Sequence, residues 1–418
     1  MIFLFEEWIE LILRWFHVIA GIAWIGSSFY FIALDLSLKQ GKNLPDKSHG
    51  EAWQVHGGGF YHLVKYLVAP SKLPSELTWF KWEAYATWVS GFALLALIYY
   101  AGAELYMIDI IKYDFEKYEA VIMSILGIIF GWLIYDIICR ISLKTNVYTL
   151  IGSIFILITA MSWVYSEIFS YRGAFMQIGT ILGTIMVANV AMVIIPGQKK
   201  VVNALIKGNK PDPIHGIRAK QRSLHNNYLT LPVIFVMLAG HYPMVFATKF
   251  SWLILAIVIV IGALIRHFFN SRHAKKKTPW WTWVLSTILT VFIIYLSNAG
   301  KPDISDDKKL VSLQKDINHE ILLNAVNVVE VHCAMCHAKY PSWERMSRPP
   351  KGLILANKDD IILNIDSLYQ QVVLSNAMPP GNITWMEYSE RETIKLLYQE
   401  ILKNRNISSL WQQFKEIL

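Results

Sequence analysis

Of the 418 residues, 54% are hydrophobic and only 17% are charged, where soluble globular chains carry about 25% charged side chains. That balance excludes a disordered or fibrous protein and predicts several membrane spans. The net charge of +8 lies in residues 1–300, with 25 Lys and Arg against 16 Asp and Glu, while residues 301–418 hold 14 against 15; nucleic-acid binding is therefore a poor account of it.

Eight stretches are long and apolar enough to cross a bilayer, near 8–36, 83–103, 118–139, 148–166, 173–196, 226–247, 250–269 and 280–298. The first is not a cleaved leader, because Glu6, Glu7 and Glu10 stand where a basic region would be. Connecting segments 37–82, 140–147, 197–225 and 266–279 hold twenty Lys and Arg in all, and the alternate segments 104–117, 167–172 and 248–249 hold four. Basic loops stay in the cytoplasm, so both termini are expected outside, in the periplasm of a bacterial inner membrane. A polar run from Gly300 to Lys309 reads as a linker, and the rest has the composition of one small soluble domain. The expected fold is all-α: a membrane bundle over 1–299, a linker over 300–314 and a soluble helical domain over 315–418.

That last domain contains Cys333-Ala334-Met335-Cys336-His337. Two thiols three positions apart on a helical turn can form thioethers to the vinyl groups of a haem, and the adjacent imidazole reaches the iron. Three cysteines in the whole chain are too few for a disulfide scaffold. A zinc site would lack an evident fourth ligand, and a dithiol motif would expect a βαβ setting. Met378-Pro379-Pro380-Gly381-Asn382 offers a thioether from a stiff loop as the opposite ligand; Met335, Met346 and Met386 are the other candidates. Residues 315–405 thus resemble a small class I cytochrome c, with Cys333, Cys336, His337 and Met378 holding haem c.

In the first span, Arg14, His17, Gly21, Trp24, Ser28 and Asp35 fall on one helical face. Such a stripe faces the bundle interior. His17 and His241 are expected at similar depth in the outer half, where they could ligate a b-type haem or be hydrogen-bonded structural residues. His56, His62, His225 and His267 form an inner group, which could be a substrate site or solvated loop and helix-end residues. Glycines 57–59 could turn backbone N–H groups toward an anion. Cys139 reads as a packed small side chain.

Several motifs together resemble the cytochrome-c-linked membrane urate oxidases: His17–Tyr30, Gly57–His62 with Lys65-Tyr66, Trp79–Tyr85, His225–Pro232, Ile265–Asn270, the haem motif and Ala377–Asn382. The resemblance implies oxidation of urate to 5-hydroxyisourate with oxygen from water and electrons passed to the attached cytochrome. A periplasmic cytochrome c or a terminal oxidase would then be the acceptor. The competing reading is a non-catalytic membrane cytochrome c subunit that relays electrons from a separate dehydrogenase.

Overall fold

The computed structural model describes residues 2–41, 44–45, 48–66, 74, 76–109, 112–113, 115–144, 146–246, 248, 250–298, 318–343, 346, 349–350, 353–374 and 376–404. The expected linker 300–314 and the last residues of the expected soluble domain, 405–418, lie outside them.

Helices stand at all eight expected positions. They are α1 (Ile2–Ser37), α2 (Trp82–Leu94, continued by a π-helical turn Leu95–Tyr100 and the short α3, Ala103–Tyr106) and α4 (Lys117–Ile141). α5 (Val147–Ile168) and α6 (Tyr171–Ala188) follow, and a second π-helical turn, Asn189–Ile194, leads from α6 into α7 (Ile195–Ile206). After α8 (Pro213–Ala239) come the short α9 (Pro243–Phe246), α10 (Ser251–His273) and α11 (Trp281–Asn298). Five of the described helices are long and apolar enough to cross a membrane: Trp8–Ser37, α4, α5, Tyr171–Ile206 and α10.

Local chemistry sets the boundaries. α4 opens on a reciprocal capping box between Glu116 and Glu119, α5 on the Asn146 side chain, and α6 on the Ser170 hydroxyl. α8 starts thirteen residues before the expected 226, because the Asp212 side chain accepts from the Ile214 N–H and Pro213 suits the first turn. His225 is therefore an interior helical residue rather than a helix end. At the far side of α4, the Lys112 ammonium donates to the Ser166 and Phe169 carbonyls at 2.8 and 3.0 Å, closing the C-terminus of α5. α6 is buried on nearly every side, and the largest core cluster forms around it from α4, α5, α8 and α10.

The chain is all-α as expected, and one small sheet is added to it. Residues 48–66 form an antiparallel hairpin, β1 (Ser48–His56) and β2 (Gly59–Tyr66), in register His56↔Gly59 and Trp53↔His62. Gly57 and Gly58 have φ of 57° and 78°, the two positive values that a two-residue hairpin turn demands. These glycines build the turn at the hairpin tip. The hairpin is tied to the end of α1 by Lys65–Asp35 at 2.6 Å and Tyr30–Gln54 at 2.8 Å.

The tail packs as a second small core. α12 (His319–His332), α13 (Ala334–His337), α14 (Lys358–Leu363), α15 (Ile365–Leu368, with a π-helical turn Tyr369–Leu374) and α16 (Tyr388–Asn404) surround Ala325, Val329, Ile361, Ile365, Ile394 and Leu397.

Candidate functional site

The tail supplies the first half of the site. Cys333 caps α12, and the single turn of α13 brings Cys336 and His337 round beside it, with the Cys336 and His337 N–H groups donating to the Cys333 carbonyl. Both thiols are buried; burial pushes Cys333 up to about 12 and raises Cys336 as well. His337 Nδ1 lies 2.9 Å from the Leu353 carbonyl oxygen, which puts the proton on Nδ1 and leaves Nε2 with a free lone pair. Met378 packs on the same core, and its loop is fixed at both edges. Its N–H donates to the Gln371 carbonyl, and its own carbonyl accepts from the buried Arg391 guanidinium at 2.9 Å. Arg391 also donates to the Val372 carbonyl and to Asn382 Oδ1. The Tyr369 hydroxyl is buried there without a partner, its ring stacked on Tyr398 at 3.9 Å.

Two thiols, an imidazole with a free Nε2 and a thioether on a braced loop fit a covalently held haem. A zinc site fits less well, since no group of three or more His, Cys, Asp or Glu side chains converges among the described residues.

This loop is also where the tail meets the bundle. The turn Pro380–Asn382 packs on α3, and Ala377 joins the bundle's main core cluster. Gly381, at φ 57°, approaches so closely that a Cβ there would run into the carbonyl oxygens of Ile108 and Glu104. Burial lowers the Arg391 pKa, and the Asp109 carboxylate across the same junction works against that shift.

Toward the other end of the bundle lies a buried polar network. His225 Nδ1 is 2.7 Å from the Tyr135 hydroxyl, which accepts from Asn189 Nδ2 at 3.0 Å. Asn189 also donates to Asn226 Oδ1, and Asn226 in turn donates to the Met186 carbonyl. Arg222, only 2% exposed, holds Asp136 Oδ1 at 2.7 Å, while Arg140 holds Asp136 Oδ2 at 2.6 Å. The Arg222 guanidinium lies over the Tyr135 ring at 4.9 Å. On the opposite side of α8, Asn227 accepts from Asn270 and from Arg266, whose guanidinium rests on Phe29 at 3.7 Å. Asn226 and Asn227 thus stitch α8 to α6 and to α10. A cavity of about 130 Å³ opens beside Arg222, lined by Asp136, Arg140, Met192, Val193, Pro196, Gly197, Lys200, His215 and Arg218.

The expected histidine groups do not assemble. His56 is at the hairpin tip, and His62 is exposed on β2, stacked on Trp53 at 4.2 Å and bonded to Glu51 at 2.6 Å. His267 is on the outward face of α10 beside Trp281. Only His225 of these four enters the buried network. His17 Nδ1 contacts the Thr87 carbonyl at 2.9 Å and Ser90 Oγ at 3.0 Å, its ring seated against Gly91. That places it against the second half of α2, before the π-helical turn Leu95–Tyr100. His241 is exposed in the turn after α8, next to α9, whose Phe246 meets Phe175 in the opening turns of α6. No contact joins His17 to His241 among the described residues.

Arg218, Arg222 and His225 share one face of α8, at spacings of four and three. The sequence carries that signal, but it goes unread if the helix is started at 226. Asp136 and Arg140 carry a similar i,i+4 signal on α4.

In comparisons with known proteins, the family described as Urate oxidase N-terminal matches residues 3–297. No curated protein and no solved structure matches the chain.

Proposed function

This chain belongs to the urate oxidase N-terminal family, and from that premise we propose that it oxidises urate to 5-hydroxyisourate with water as the oxygen source. In each turnover urate and one water give 5-hydroxyisourate, two protons and two electrons, and the electrons pass one at a time to the chain's own C-terminal cytochrome domain, which the external acceptor reoxidises between them. The observation that carries this reading is the junction described above. The loop bearing Met378 is seated on α3 through Gly381, so the urate-related domain and the electron-accepting tail meet directly.

Cys333 and Cys336 would hold the haem by thioethers, with His337 and Met378 on the iron, and the group supplies one-electron acceptance when bound. In the bundle, His225 is the proton acceptor. His225 Nδ1 is held by the Tyr135 hydroxyl, and in the tautomer that donates from Nδ1, Nε2 is free to take a proton. Asn189 and Asn226 fix that tyrosine and so fix the imidazole. The tail packs on the end that carries the basic-poor segments 104–117 and 167–172. This supports an eight-span protein of a bacterial inner membrane with its cytochrome domain in the periplasm, where a soluble cytochrome c or a terminal oxidase would take the electrons.

The test is direct. Purified full-length protein is mixed with urate under argon, and the c-haem α-band is followed. Growth of the band with urate alone is expected, and Cys336→Ser removes the signal together with covalent haem stain on a denaturing gel. A band that grows only when a second protein is added assigns the chain to electron relay instead.

A further inference from the structure

The cavity beside Arg222 has a charge pattern that the protein does not balance by itself. Arg140, Lys200, Arg218 and Arg222 line it against one carboxylate, Asp136. That carboxylate is already divided, with one oxygen on Arg222 and the other on Arg140. Lys200 and Arg218 have no ion pair among the described residues. More telling, the buried Nε atoms of both Arg218 and Arg222 have no hydrogen-bond partner, although Arg222 is 98% buried.

An unpaired buried donor on a charged group costs a large part of its hydration, and an anion in the cavity removes that cost. Guanidinium forks suit a planar anion with adjacent oxygen and ring-nitrogen acceptors, because two parallel N–H donors meet two in-plane acceptors. The remaining wall suits a flat ring as well: Met192, Val193 and Pro196 give it an apolar side, with Gly197 and His215 completing the lining. Arg222 is one helical turn before His225 and joins the same network through Asn189 Oδ1 at 3.4 Å. An anion drawn to Arg222 therefore arrives next to the group that accepts the proton.

We infer that this cavity is the binding site for a planar oxopurine anion, with Arg218 and Lys200 at its entrance and Arg222 at its head. The inference rests on the urate reading and gives it a location. A lipid phosphate headgroup shares the negative charge but lacks the planar in-plane acceptors, so the assignment is to the oxopurine.

The experiment uses the full-length haem-loaded protein in nanodiscs of neutral phosphatidylcholine. Arg218→Gln and Lys200→Gln are each expected to raise KM for urate by about tenfold or more, as loss of a charge-assisted hydrogen bond to a ligand would. kcat at saturating urate and covalent haem content should stay within about twofold, and Arg218→Lys should recover part of the KM. Urate binding by calorimetry, which does not depend on turnover, should weaken in the same order. If wild-type protein reduces its haem with urate while both variants keep the wild-type KM, the cavity assignment fails and the function stands. If wild-type protein binds urate but does not reduce its haem, the oxidase reading fails, and calorimetry on the variants still decides the cavity. Wild-type protein that binds no urate overturns it. A KM that rises with added anionic phosphatidylglycerol, through an effect absent from Arg218→Gln, makes this a lipid-phosphate site and also overturns it.

Discussion

The two ends of this molecule solve opposite problems with charged and polar groups. At the tail, Arg391 donates to three acceptors within one loop, and His337 and Met378 are each braced by a main-chain partner. At the far end, about 28 Å away along α4 from Lys117 to Asp136, the buried Arg222 and the half-buried Arg218 each keep an Nε without a partner. A braced region holds fixed ligands for a permanent group, whereas a region with spare donors is built for something that comes and goes. At the far end four cationic side chains line one cavity against a single carboxylate, and that surplus sets it apart from the loop around Arg391.

Three changes test that separation, beginning with the largest effect. His225→Gln removes the proton acceptor and is expected to lower kcat by about 100-fold, at the lower end for loss of a general base, with haem content unchanged. His62→Gln, on the exposed hairpin, should leave kcat within about twofold. Equal losses from the two variants in stopped-flow haem reduction would return the hairpin to the active site.

Next in size is the junction between the ends. Gly381→Val places a Cβ against the Ile108 carbonyl and forces a branched residue to positive φ, a strain of about 1–2 kcal/mol before any clash. Urate-driven reduction of the tail is expected to slow by roughly tenfold, since each 1.4 kcal/mol of lost docking is about a factor of ten. Direct reduction by dithionite should be unchanged. Slowing of both would mean that the substitution damages the haem pocket and not the docking.

The smallest effect concerns acid. Partial burial pushes the Glu390 carboxyl up, but hydrogen bonds from the Glu387 N–H and from His332 outweigh that and hold it below the ordinary carboxylate range. A carboxyl depressed in the folded state contributes stability that is present above its unfolded pKa, about 4.3, and is lost as pH falls through the folded value. Thermal midpoints of the tail, followed by Soret dichroism, should therefore drop below about pH 4, and Glu390→Gln should flatten that drop. An unchanged slope in the variant would assign acid sensitivity to another group.

The motif proposed to hold haem was readable because it is contiguous: Cys333, Cys336 and His337 fall within five residues, and Met378 is marked by the prolines after it. The positions of the eight helices were legible too, because apolar length reports them directly. The far end was not, for a physical reason. Tyr135, Asn189, Arg222 and His225 come from three separated segments, and each alone looks like a polar residue kept for helix contact. What joins them is packing, which spacing within one helix cannot express. The histidine groups failed for the converse reason: shared side of the membrane is a weak constraint, and it placed His17 with His241 and His56 with His225. The hairpin was written in the alternation around Gly57-Gly58 but was hidden by the expectation of a helical chain.

The π-helical turn at Asn189–Ile194 sets an angular register. Such a turn holds one residue more than an α-helical turn, so everything after it is rotated by about 100° relative to an uninterrupted α6. Pro196, Gly197 and Lys200 face the cavity in that rotated frame. Deleting one residue within 189–194 would leave the composition almost untouched and still swing this wall away from Arg222, turning Lys200 toward a neighbouring sector of the bundle. The geometry of the anion site is thus encoded in a residue count as much as in residue identities, and a one-residue length difference here between related chains would mark a different ligand.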